Sequence, residues 1–375
     1  MPPPRFDEGT QIVRSTPRRL AAAAAALAAL SALVLAPHGE AATRKFVPVR
    51  VNGQPIRAVT ITEMRQFASL SIPDFPRIKA DGFNTVTMYV YRFMQSATVN
   101  EQKTGAFTEP DALLGQAIDA AHAQGLAVQL VPTIWVGEGI GQFYWRGAIH
   151  PTDHNAWFDS YRAMTNHYAD LATQHHVELF GIGSEMISLE NEVSQWQHTI
   201  NDARQRYRGP ITYFTVYATV DRIRWWKYVD IPGVSPYMSL SSKATPSYAE
   251  IVNNWRTKQL PYLQKIGRYV GRPLLIAEIG YGSGPGAATH PEQVPSGVPD
   301  ENLQAQLYKA MLDVVLPDKT FDGISFWRWS SVEAGPTGTS FSPKGKAAEC
   351  VVAQHWATAG GSSMTQCSTV GRISL

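Results

Sequence analysis

The chain is poor in the features that mark several large protein classes. It has only two cysteines, Cys350 and Cys367, in 375 residues, which argues against a disulfide scaffold or a thiolate metal cluster. Neither charge sign dominates. The 33 Lys and Arg against 31 Asp and Glu leave a net charge of +2, and no basic block stands out, so nucleic acid is not an expected partner. There is no His-Glu-x-x-His, and no Gly-x-Ser-x-Gly, since Ser184 has no glycine two residues on. His175 and His176 are adjacent and point apart. His150 and His154 flank Pro151, which favours a loop over a helical metal pair. No metal and no cofactor are expected.

What is present begins with a leader. Arg14, Arg18 and Arg19 precede an apolar, Ala-rich stretch from Leu20 to Ala36, with small residues at Gly39 and Ala41. This is the pattern of a signal peptide cut near Ala41 or Ala42. The Arg18-Arg19 pair is compatible with twin-arginine export, and an uncleaved anchor is the alternative. No later apolar run could span a bilayer, so the expected product is a secreted or periplasmic protein with no membrane partner after cleavage. In an oxidising compartment Cys350 and Cys367 would form one disulfide; two free thiols are the alternative.

Downstream, apolar or β-branched runs alternate with helical patterns. Eight strand candidates cover 57–62, 85–91, 127–133, 179–183, 211–217, 233–238, 274–279 and 323–329. Most are continuous runs, as expected of strands buried on both faces. Helical patterns cover 110–124, 155–174, 192–208, 248–270 with a break near Pro261, and 301–316. A last helix is expected to open at Ser342-Pro343 and run to about Trp356. Strict alternation of this kind predicts an α/β fold, a single (β/α)8 TIM barrel. An open doubly wound sheet, usually with fewer strands, is the alternative. The implied division is a signal segment over 1–42, a barrel over 43–360 and a tail over 361–375.

Two glutamates stand at strand ends on this count: Glu185 after strand four and Glu278 at the end of strand seven. A barrel core has no water to solvate a carboxylate, and residues at the C-terminal ends of barrel strands face the site. Strands four and seven lie across the mouth from each other. A carboxylate pair about 5 Å apart is the apparatus for cleaving a glycosidic bond with retention. Glu278 would be the nucleophile and Glu185 the acid, then the base. Tyr237, ending strand six, could donate its phenol to Glu278. Glu138 and Glu333 lie in mouth loops, and Glu190 and Glu192 read as solvated or capping. The chain has ten tryptophans, and flat rings stack on sugars. Trp327 and Trp329 would share one strand face with at least one at the mouth, and Trp145 lies in the loop after strand three.

These segments resemble the retaining glycosidases of clan A, and most closely glycoside hydrolase family 113, which includes β-mannanases. The resemblance runs from about Arg57 to Trp356. It rests on Trp145-Arg-Gly, Trp157-Phe-Asp-Ser-Tyr161, Phe180-Gly-Ile-Gly-Ser-Glu185, Tyr207-Arg-Gly-Pro-Ile-Thr-Tyr213, Ala277-Glu-Ile-Gly-Tyr281 and the strand-eight Trp-Arg-Trp. It implies the acid/base role for Glu185 and the nucleophile role for Glu278, on a mannan-like carbohydrate. Ser184 stands where much of the clan has an asparagine that binds the sugar 2-hydroxyl, which implies a substrate contact there. Thr215-Val-Tyr217 stands where an Asn-Trp pair is expected. A glycosidase acting on peptidoglycan or an exopolysaccharide, and a glycan-binding barrel without turnover, are the alternative readings.

Overall fold

The computed structural model describes residues 48–63, 66–137, 144–333, 335 and 337–357. The expected signal segment over 1–42, the tail with Cys367, and Glu138 lie outside the described residues.

Eight strands form a closed parallel barrel: β1 Ile56–Ile61, β2 Thr85–Met94, β3 Ala127–Val136, β4 Leu179–Ser184, β5 Ile211–Val216, β6 Ile231–Ser235, β7 Leu274–Ile279 and β8 Phe321–Trp329. Each pairs with the next, and β8 closes on β1. The α-helices among the described residues are α1 Phe75–Ala80, α2 Asp111–Ala123, α3 His154–Gln174, α4 Val193–Arg206, α5 Tyr248–Asn254, α6 Leu260–Val270, α7 Glu301–Val315 and α8 Ala347–Trp356. Between β5 and β6 there are only 3-10 turns, at Tyr217–Arg222 and Trp226–Tyr228. None of these helices is long and apolar enough to cross a membrane.

The alternation of strand side chains divides the core in two. Inside the barrel lie Ile56, Ala58, Tyr89, Val131, Phe214, Leu275 and Ala277. A buried polar layer joins them, with Thr60 and Thr87 each 3.2 Å from the Ser325 hydroxyl and Thr87 donating to Gln129 at 3.0 Å. Outside the sheet, the larger core packs strand residues such as Val59 and Ile324 against the helices.

Three parallel ladders lose register near the mouth. On β4 the partners pass from Gly181↔Thr212 to Ser184↔Phe214, on β7 from Ile276↔Ile324 to Ile279↔Phe326, and on β8 from Val59↔Phe326 to Ile61↔Trp329. Each shift gives one strand an extra residue, and such bulges re-aim side chains beside active sites. In β4 the irregularity includes Gly183, whose φ is +147°. A Cβ there would stand 2.4 Å from the Tyr161 hydroxyl, which donates to the Ile182 carbonyl at 2.7 Å. Glycine is therefore required where the strand turns toward Glu185.

Some boundaries differ from the sequence expectation for identifiable reasons. The segment around Pro261 passes through a π-helical turn, Trp255–Gln259, before α6 begins with that proline in its first turn. The last helix starts at Ala347, not at Ser342-Pro343. Ser342 does not cap it. Its hydroxyl accepts the Ser330 and Lys344 amides and so ties the loop after β8. The Phe67–Ala80 segment, with a π turn, a 3-10 turn and α1, had no expected helix. Cys350 is buried in α8, while its expected partner lies outside the described residues.

Candidate active site

Glu185 and Glu278 meet at the C-terminal mouth of the barrel. Glu278 is inside β7 and only 5 % exposed. Glu185 directly follows β4 in a left-handed conformation, with φ +55°, and its amide donates to the Phe214 carbonyl at 2.8 Å. Such a backbone is uncommon outside glycine and marks a position held by its surroundings.

Arg146, just beyond the 138–143 segment and in the 3-10 turn Arg146–Ala148, joins the two. Its Nη2 lies 3.3 Å from Glu185 Oε2 and 3.8 Å from Glu278 Oε1. Those two lengths from one atom limit the facing oxygens to about 7 Å apart at most. The guanidinium is itself fixed, with Nε donating to the Ser184 carbonyl at 2.9 Å and Nη2 to the Ser184 hydroxyl at 3.0 Å.

The two carboxylates have different surroundings. The Tyr89 phenol of β2 donates to Glu278 Oε1. Burial raises the pKa of Glu278 to about 7, with the Glu185 charge adding to the rise and Arg146 and Tyr89 opposing it. Arg146 stays firmly cationic despite its burial, because the two glutamates flank it. Glu185 Oε2 accepts the Trp145 indole N–H at 3.3 Å as well as Arg146. The pair can thus hold one proton and one negative charge beside a fixed cation, as acid and nucleophile chemistry needs.

The remaining predicted residues divide. Trp145 is 40 % exposed beside Glu185. Trp327 points into the barrel mouth, edge-on to Tyr89 with centroids 5.8 Å apart. Trp329 does not share that face. It is fully buried in the outer core, edge-on to Phe83, and its indole donates to Asp74 at 2.9 Å. The β8 bulge, which sets Trp327 and Arg328 opposite the single residue Thr60, reverses the alternation. Trp157, Trp196, Trp225 and Trp255 are also fully buried, so few of the tryptophans are left for substrate.

Three other expectations are corrected. Tyr237 is close enough to feel both glutamate charges, but its hydroxyl has no hydrogen-bond partner among the described residues; Tyr89 donates to Glu278 instead. Ser184 is fully buried beneath Arg146, with its hydroxyl engaged, and does not line an open cleft. Glu190 is not solvated. It is fully buried, and Oε1 accepts hydrogen bonds from Tyr213 and Thr215. Glu333 is occupied by Arg328 at 2.6 Å, and Glu192 by His154 at 2.7 Å. Tyr89 and Arg146 had weak signals. Thr85, Thr87, Tyr89 and Tyr91 form one parity row on β2, too polar for a dry barrel core, and Arg146 is the central residue of Trp145-Arg-Gly. Among the described residues no cluster of His, Cys, Asp and Glu is arranged to hold a metal.

A parallel barrel whose mouth brings two carboxylates, an arginine and accessible indoles together has the equipment of an enzyme that cleaves sugar linkages, and comparison with known proteins makes the class definite: a glycoside hydrolase. The chain belongs to Glycoside Hydrolase Family 113, whose model matches residues 68–342. It is 27 % identical to the GH113 β-mannanase AaManA from Alicyclobacillus acidocaldarius, solved in complex with ManMIm. The TM-score is 0.71, with 81 % of this chain and 97 % of that one covered. A GH113 β-1,4-mannanase solved as a complex is 23 % identical, also with a TM-score of 0.71, covering 81 % of this chain and 99 % of its own. An exo-β-1,4-mannosidase from an Opitutaceae bacterium shares the fold at 12 % identity and a TM-score of 0.54, covering 80 % of this chain and 59 % of that one. No curated protein matches the chain.

Proposed function

We propose that this glycoside hydrolase is an exported β-mannanase-like enzyme that cleaves its polysaccharide or oligosaccharide by double displacement, with Glu278 as nucleophile and Glu185 as acid/base. The observation that carries the mechanism is Arg146. One nitrogen within 3.3 Å of one carboxylate and 3.8 Å of the other caps the facing oxygens at about 7 Å, which admits the roughly 5 Å separation of retaining enzymes and only the short end of the wider inverting range. The choice of mannan is supported by the β-mannanases it resembles.

In this mechanism Glu278 attacks the anomeric carbon as a carboxylate. The Tyr89 hydrogen bond and the Arg146 charge favour that ionised state despite burial. Glu185 carries the proton and delivers it to the departing glycosidic oxygen. Esterification of Glu278 then removes a negative charge beside Glu185. Glu185 next takes a proton from water, which attacks the glycosyl-enzyme and returns the sugar with its starting configuration. Trp145 orients Glu185 through its indole N–H and presents a ring to the sugar.

The test is Glu185→Ala with added azide on an activated aryl β-mannoside. The expected result is rescue with a β-mannosyl azide as product. An α-azide, or full activity of Glu185→Ala on unactivated mannan, would overturn the assignment. The arginines followed by an apolar run within residues 1–42 are the pattern that supports export, which N-terminal sequencing of the mature protein checks.

A further inference from the structure

Glu190 is a carboxylate that the double displacement does not use. It follows the 3-10 turn Ile187–Leu189 and has no exposed surface. No ion pair with a cation reaches it among the described residues. Its Oε1 accepts from the Tyr213 phenol at 3.0 Å and from the Thr215 hydroxyl, itself 2.8 Å from the Thr219 hydroxyl. Its Oε2 is buried without a hydrogen-bond partner. Its main-chain carbonyl accepts the Trp225 indole N–H at 2.9 Å, and Trp225 stacks on Trp196, centroids 4.9 Å apart. Burying a carboxylate among hydroxyls is costly, and an apolar side chain would pack there without that penalty.

The position of Tyr213 gives this carboxylate a use. A phenol has one proton to donate and lone pairs to accept. The Tyr213 proton goes to Glu190, and the oxygen accepts the Met186 amide at 3.0 Å. Met186 directly follows Glu185. The peptides on either side of Glu185 are therefore both tied to β5, one through the Phe214 carbonyl and one through the Tyr213 hydroxyl. Between these ties Glu185 holds its left-handed backbone. Without Glu190 the phenol would lose the acceptor that orients it, and the Met186 tie would slacken.

We infer that Glu190 is a positioning residue for the general acid: acting through Tyr213, it fixes the turn that aims the Glu185 carboxyl at the glycosidic oxygen. This inference rests on the acid/base role proposed for Glu185. It predicts a loss confined to the step that needs proton delivery, because a shift of about 1 Å in a catalytic group costs on the order of 100-fold.

The experiment compares kcat/KM on an unactivated β-1,4-manno-oligosaccharide with that on a dinitrophenyl β-mannoside, whose leaving group departs without an acid. Tyr213→Phe, Glu190→Ala and Glu190→Gln are measured beside Glu185→Ala. Tyr213→Phe and Glu190→Ala are expected to lose about 10- to 100-fold on the oligosaccharide and less than about threefold in the glycosylation of enzyme by the activated substrate. Glu190→Gln, which keeps an acceptor for the phenol, is expected to recover part of the loss. Tyr213→Phe removes one oxygen from a packed ring and decides the matter even if Glu190→Ala does not fold. Equal losses on both substrates, or none on either, with Glu185→Ala still sensitive to the leaving group, would overturn the positioning role alone. If Glu185→Ala itself showed no such sensitivity, the acid/base reading would fall first.

Discussion

Tyr89→Phe isolates the electrostatics of the nucleophile. The substitution removes one oxygen and keeps a ring that packs edge-on to Trp327 and stacks on Tyr91. Glu278 loses its phenolic donor and keeps Arg146, 3.8 Å away. A hydrogen bond to a charged group contributes about 1.5 to 3 kcal/mol, so losing it raises the carboxyl pKa by about 1 to 2 units. The sign follows from the donor's preference for the ionised form: without it protonation is easier, and a larger share of enzyme at a given acidic pH cannot attack. The acid limb of kcat/KM on an aryl β-mannoside should therefore move to higher pH by about 1 to 2 units. At a pH below that limb, activity should fall by about 10- to 100-fold, and part of it should return as the pH is raised. A uniform drop with an unmoved acid limb would show that Tyr89 does not support the charge on Glu278.

Other consequences follow from the same geometry. Arg146→Lys keeps a cation but not the fork that holds Ser184 and both glutamates; kcat should fall by about 100-fold or more with a smaller change in KM. Trp327→Ala should raise KM for oligosaccharides with a modest change in melting temperature, whereas Trp329→Ala, which empties a buried site and leaves Asp74 with Lys344 but without its indole donor, should cost about 3 to 5 kcal/mol of stability. The folded-state pKa of Glu190 is raised to about 7, mainly by burial. Its favourable contribution is full below the unfolded value of about 4.3 and is lost as the pH rises through 7. Glu190→Gln should thus gain on wild type by several degrees in melting temperature between pH 5 and pH 8, and a gap that does not change with pH would contradict the buried ionisation.

The strand pattern was legible because a parallel barrel buries both faces of every strand, so each appears as an apolar run whatever the helices do. Glu185 and Glu278 were legible because carboxylates interrupt or end such runs. Residues on the inner faces were harder to read. Tyr89 looks like core until β2 is seen to carry a polar parity row into the mouth. Trp329 was misplaced because a single extra residue in β8 exchanges inside for outside, and a bulge has no local signature in Phe-Trp-Arg-Trp. Glu190 was misread because its donors come from β5, more than twenty residues away, and a buried acid in a loop looks like a solvated one. Ser342-Pro343 carries a helix-start pattern that tertiary hydrogen bonds put to another use.

The most direct measurement is mass-spectrometric identification of the residue esterified when the enzyme is inactivated by a 2-deoxy-2-fluoro-β-mannosyl fluoride. The peptide carrying Glu278 should gain one fluorosugar, with activity lost in proportion to labelling. A label on any other residue, or inactivation with no covalent adduct, would contradict the assignment of Glu278 as the nucleophile.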